Sequence, residues 1–114
     1  MTTVTLAVAS REEIDRRLEA AFGGEAQDVR LPFASVELLW RVLTARRWAL
    51  LQAMTGAGPM SLREAARRVG RDVKAVHADV HALLDAGVLE RATDGRIGFP
   101  HDAVHVDFTL GKAA

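Results

Sequence analysis

Apolar positions first recur at every second residue. Val4, Leu6 and Val8 alternate with Thr3, Thr5 and Ala7, the period of a half-buried strand. Ser10 stops that run and, with Glu13, has capping-box spacing, in which a hydroxyl and a carboxylate satisfy free amides at a helix start. Ile14, Leu18, Ala21 and Phe22 continue at helical spacing up to Gly23-Gly24, a pair suited to ending a helix. Val29, Leu31 and Phe33 alternate again around Pro32, which predicts a short extended or edge segment.

From Ser35 onward the period is helical. Ser35 is placed to cap a short helix holding Val36, Leu39, Trp40 and Leu43, and Thr44 caps the next, which turns Trp48, Leu50, Leu51 and Met54 toward a core before Gly56-Ala57-Gly58-Pro59. Ser61 and Glu64 repeat the capping box ahead of the inward stripe Leu62, Ala65, Ala66 and Val69, and Gly70 ends that helix. Asp72 opens the longest pattern, with Val73, Val76, Val80, Leu83 and Leu84 at offsets of three and four and Gly87 at the C-terminal cap. Val88 to Arg91 and Arg96 to Phe99 read as two strands, with Asp94-Gly95 as a two-residue hairpin signal and Pro100 as the close. Val104, Val106, Phe108 and Leu110 alternate as a last strand.

These elements predict a mainly α fold with a small β component (α+β). A winged helix-turn-helix covers residues 35–100, since three helices with a tight turn before the last, followed by a short hairpin, is the order of that motif. An N-terminal strand-helix-strand extension, residues 1–34, and a C-terminal strand and tail, residues 101–114, flank it. The two flanking strands leave edges that want partners, and a homodimer formed through them is expected.

Composition narrows the class. The chain has 114 residues, 49% hydrophobic and 26% charged, ordinary for one globular domain. It contains no cysteine, which removes disulfides, thiolate zinc sites and cysteine nucleophiles together. There is no signal-peptide pattern and no run of about 20 apolar residues, so a cytoplasmic location without membrane contact is expected. No nucleophile, phosphate loop or paired-carboxylate motif stands out; neither enzymatic activity nor a cofactor is expected.

Net charge is zero, but its distribution is uneven. Residues 41–77 hold eight basic side chains against two acidic ones, whereas residues 1–40 and 78–114 each carry −3. The positive third coincides with the helical trio, the electrostatic footprint expected of a nucleic-acid-binding face. With the apolar stripe of residues 72–87 pointed inward, Lys74, Ala75, Ala78, His81 and Ala82 face out. Such a slim surface suits a major groove about 12 Å wide. Arg71 and Lys74 stand at the N-terminal end of that helix, where base and phosphate contacts are made, and His81 can donate farther along. Arg46, Arg47, Arg63, Arg67 and Arg68 are expected on flanking phosphates, and Arg91 and Arg96, on the hairpin, on the backbone or the adjacent minor groove. His77 and His81, four apart, have a spacing able to hold a divalent metal, though the zinc-protease motif is absent. His101 and His105 lie near Asp102 and Asp107.

The stretches Leu43 to Trp48, Leu62 to Val73 and Val76 to Leu84 resemble a family of short prokaryotic winged-helix regulators. Their cores look like MarR- and ArsR-type winged helices, and they are often taken to be antitoxins encoded beside a toxin. The resemblance spans nearly the whole chain and implies that Arg71, Lys74, Ala75, Ala78 and His81 fall in the recognition region. Alanines at 75 and 78, where larger polar side chains would read bases, imply modest sequence selectivity. The expected function is therefore a double-stranded-DNA-binding transcriptional regulator, a repressor and an antitoxin candidate with a toxin as protein partner. The alternatives are a protein-docking module built on the winged helix and a histidine-based metal-responsive regulator.

Overall fold

A computed structural model describes residues 2–8, 12, 15, 16 and 29–109. The elements are β1 (Thr3–Val8), β2 (Val29–Phe33), α1 (Val36–Val42), α2 (Ala45–Met54), α3 (Leu62–Val69), α4 (Val73–Asp85), β3 (Glu90–Arg91), β4 (Ile97–Gly98) and β5 (Ala103–Asp107). The expected Ser10–Glu13 capping box, the helix through Ile14, Leu18, Ala21 and Phe22, its Gly23-Gly24 stop and Leu110 lie outside the described residues.

Helix starts follow side-chain chemistry. The hydroxyls of Ser35, Thr44 and Ser61 accept the amides of Leu38, Arg47 and Glu64 at 3.1–3.2 Å, and the Asp72 carboxylate accepts that of Lys74 at 3.1 Å, each satisfying an amide with no partner inside its helix. The capping box at Ser61 is only half made, because the Glu64 carboxylate turns to Arg67 and Arg68 instead of back to the cap. Gly70 and Gly87 close α3 and α4 with φ of +66° and +81°. The amides that follow reach back six residues inclusive, Arg71 to the Ala66 carbonyl and Val88 to that of Leu83, a paired closure that needs a left-handed residue at the turn.

Three strands form a parallel sheet in the order β2-β1-β5, with Leu6 beside both Leu31 and Val106. This corrects two expectations for β1. It is not half-buried, since Val4, Thr5, Leu6 and Ala7 are all buried, and it offers no open edge, since it is paired on both sides. The small Thr5 and Ala7, whose alternation with Val and Leu reads as solvent-facing, are thus interior positions. Among the described residues, the outer strands of this sheet are β2 and β5. Arg30 on β2 lies 3.6 Å from Asp107 on β5.

One core joins the sheet to the helices: Val4 and Leu6 pack in the same cluster as Leu39, Leu50, Leu51, Met54, Val76, Val80 and Leu83. Burying each of these large side chains stabilises the fold by about 1.5–3 kcal/mol. Trp48 and Val73, expected inward, are 37% and 36% exposed. On α2 the sector shared by Arg47, Leu50, Leu51 and Met54 faces the interior, which puts Trp48 at its margin. Val73 is the first residue of α4, where it lines a shallow surface pocket with Leu62, Lys74 and His77. Trp40 is also exposed and meets the exposed Phe108 edge-on at 5.4 Å.

β3 and β4 pair antiparallel, and Met60, just before α3, adds a further rung by exchanging two 2.8 Å backbone bonds with Ile97. The loop is Thr93-Asp94-Gly95, closed by Ala92 N to Arg96 O at 2.7 Å, and is thus one residue longer than expected. Asp94 accepts the Arg96 amide at 3.0 Å, so the Asp-Gly pair ends a three-residue loop, the next commonest hairpin class. Val88 and Leu89 are not strand residues; their amides bond to the Leu83 carbonyl and their side chains are buried.

Candidate nucleic-acid interface

α4 is joined to α3 by only Gly70, Arg71 and Asp72, and it buries one stripe, Val76, Val80 and Leu83. Its opposite face is open: Lys74, Ala75, Ala78 and His81 are exposed, and so are Val73 and His77, while Ala82 is half-buried. At 1.5 Å per residue, thirteen residues make a rod about 20 Å long. The outward face is narrow where the alanines stand and cationic at the start.

The flanking arginines divide into two groups. Arg47 and Arg71, both expected at the nucleic acid, are drawn into the protein by Asp79. Arg47 Nε donates to Asp79 Oδ1 at 3.0 Å, and Arg71 Nη1 lies 2.8 Å from Asp79 Oδ2. The second arm of Arg47 donates to the carbonyls of Arg41 and Val42 at 2.9 and 3.0 Å, capping the end of α1. The three charged side chains are only 18%, 22% and 13% exposed for Arg47, Arg71 and Asp79. Burial by itself raises the Asp79 carboxyl, but hydrogen bonds and charges from Arg47 and Arg71 outweigh it and hold it below the ordinary carboxylate value. This triad ties α1, α2, the α3–α4 turn and α4 together and sets the pose of α4.

The second group remains at the surface. Among the described residues, Arg46, Arg63 and Lys74 are exposed and form no ion pair. Arg67 and Arg68 share the Glu64 carboxylate: Arg67 Nε donates to Oε2 at 2.9 Å and Arg68 Nε to Oε1 at 3.0 Å. Those hydrogen bonds lower the Glu64 pKa, and Glu64 cancels part of their charge. Arg68 also points back to the Ala53 carbonyl at 3.4 Å, at the end of α2. On the hairpin, Arg96 pairs with Asp94 at 2.7 Å and Arg91 donates to the Gly95 carbonyl at 3.1 Å. Both remain exposed. The Arg96 hydrogen bonds, first the backbone one and then the side chain's, hold Asp94 low.

Of the histidines, His77 and His81 stand together on α4 with ring centroids 4.1 Å apart. His101 and His105 are not brought into a site with Asp102 and Asp107. His101 rests edge-on against Phe99, Asp102 accepts the Thr2 amide at 2.8 Å, and Asp107 pairs with Arg30. Among the described residues, no three histidines or carboxylates come together as a metal site. Asp79 escaped the reading of sequence, although a signal existed: it lies three residues after Val76 and four before Leu83, on the margin of the buried stripe, where a carboxylate requires partners.

A family model described as HVO_A0114 matches residues 42–106, from the last residue of α1 through the helices and hairpin into β5. No curated protein and no solved structure matches the chain. The matched residues make up more than half of the 114, and the chain belongs to the HVO_A0114 family.

Proposed function

We propose that the trio α2, α3 and α4 and the β3–β4 hairpin are a winged helix-turn-helix, that α4 enters the major groove of double-stranded DNA, and that the protein regulates transcription by occupying its operator. The observation that carries this reading is the outward face of α4, on which Lys74, Ala75, Ala78 and His81 are exposed while the opposite stripe is held in the core. A rod of this width, cationic at its leading end, matches what a major groove admits. Arg46 and Arg63, with Arg67 and Arg68 partly offset by Glu64, supply phosphate contacts, and Arg91 and Arg96 do so from the hairpin. Arg47 and Arg71 act instead as internal ties. The proposal includes a homodimer, whose half-sites lie about 34 Å apart, formed through regions outside the trio, where Val29, Leu38, Trp40 and Phe108 are exposed.

Fluorescence anisotropy against the DNA upstream of the protein's own gene, at several salt concentrations, tests the reading. Arg63→Ala is expected to weaken binding to every duplex and to flatten the salt slope by about one unit. Lys74→Ala is expected to alter which sequences are preferred. Salt-insensitive binding, or equal binding by wild type and both variants, would sink the assignment.

A further inference from the structure

His77 and His81 form a pair of which the DNA-binding reading uses only His81. They are four residues apart on one helix, so their side chains leave the same side one turn apart. Both are exposed and their rings are 4.1 Å apart, tilted by 40°. Zinc–nitrogen bonds of about 2.0–2.1 Å place two imidazole nitrogens that share a tetrahedral ion about 3.4 Å apart, with the ring centres about 5 Å apart, which these two exposed side chains reach by opening from 4.1 Å through rotation about their own bonds. We infer that His77 and His81 form a two-histidine site for a borderline divalent transition-metal ion such as zinc, on the outward face of α4.

The charges around the pair fit a weak, open site. Lys74, three residues before His77, opposes a cation, and Asp85, four after His81 and exposed, favours one. Asp79, between the two histidines, faces the other way and is spent on Arg47 and Arg71. Among the described residues no third histidine or carboxylate joins them, so water completes the coordination. An ion with its water shell would widen the face that Ala75 and Ala78 keep narrow. Metal and duplex therefore compete for α4, and by linkage each weakens the other. This second clause rests on the proposed DNA interface; the ion site does not.

Isothermal titration calorimetry of zinc chloride into the full chain reads the site directly. One ion per chain is expected, with the signal lost in His77→Ala and in His81→Ala and retained in His101→Ala and His105→Ala. Because both α4 side chains are exposed, the variants are expected to melt like wild type without metal. Binding that survives either α4 variant, or no binding by wild type, overturns the site. Anisotropy with and without zinc reads the competition: DNA affinity is expected to fall with zinc in wild type but not in His77→Ala. DNA binding indifferent to zinc in wild type overturns competition while calorimetry still reports on the site. Failure to bind DNA without metal overturns the DNA reading and leaves the calorimetric result standing.

Discussion

Replacing Asp79 by alanine leaves Arg47 and Arg71 facing each other across a gap with no counter-charge. Truncating one member of a fully buried ion pair costs about 3–5 kcal/mol, and an exposed pair contributes less than about 1. With side chains 13–22% exposed, and with Arg47 still held by two carbonyls, the loss should fall between those limits, at about 2–3 kcal/mol. For a domain of this size that lowers Tm by about 10–15 °C, measurable by circular dichroism. Asp79→Asn keeps the volume and one acceptor oxygen and should lose less. The pH dependence has a fixed sign. Since the folded carboxyl is held below its ordinary value of 3.8, the triad's contribution is complete above that value and disappears as pH falls through the lower folded one. Wild type should thus lose stability faster than Asp79→Asn as pH drops below about 4. If Asp79→Ala melted within about 3 °C of wild type, a shift worth less than about 1 kcal/mol, the triad would not be what fixes α4.

Other outcomes follow from single sites. Gly70→Ala places a Cβ in open space but on a left-handed residue, so its cost should be the backbone penalty of about 1–2 kcal/mol, read in urea melts with an unchanged m-value. Leu6→Ala, at a fully buried position of the central strand, should cost about 2–5 kcal/mol; a loss below about 1 would argue against the parallel sheet as part of the core. Glu64→Gln frees Arg67 and Arg68, and anisotropy at low salt should show tighter binding to duplexes of any sequence, whereas unchanged affinity would remove both arginines from the interface.

Helix boundaries were legible from residues alone because caps are local. Ser35, Thr44, Ser61, Asp72, Gly70 and Gly87 each act within a few residues of their own position, and all six stand where their chemistry predicts. The buried stripe of α4 was legible for the same reason, apart from Val73 at its end. Strand pairing was not. Whether β1 sits at an edge or in the middle depends on β5, a hundred residues away, and a small residue such as Thr5 looks the same in sequence whether or not a sheet face is covered.

The chemistry of the cationic face divides in the same way. Its position along the chain and the small outward residues of α4 follow from periodicity and charge order, which need no fold to be counted. Which arginines remain free does not follow, because a guanidinium goes to whichever carboxylate or carbonyl the packing brings within about 3 Å. Asp79 draws Arg47 from 32 residues away and Arg71 from the preceding turn. Only the packing of α2 against α4 makes that partition, and it separates the side chains that brace the helix from those left at its surface.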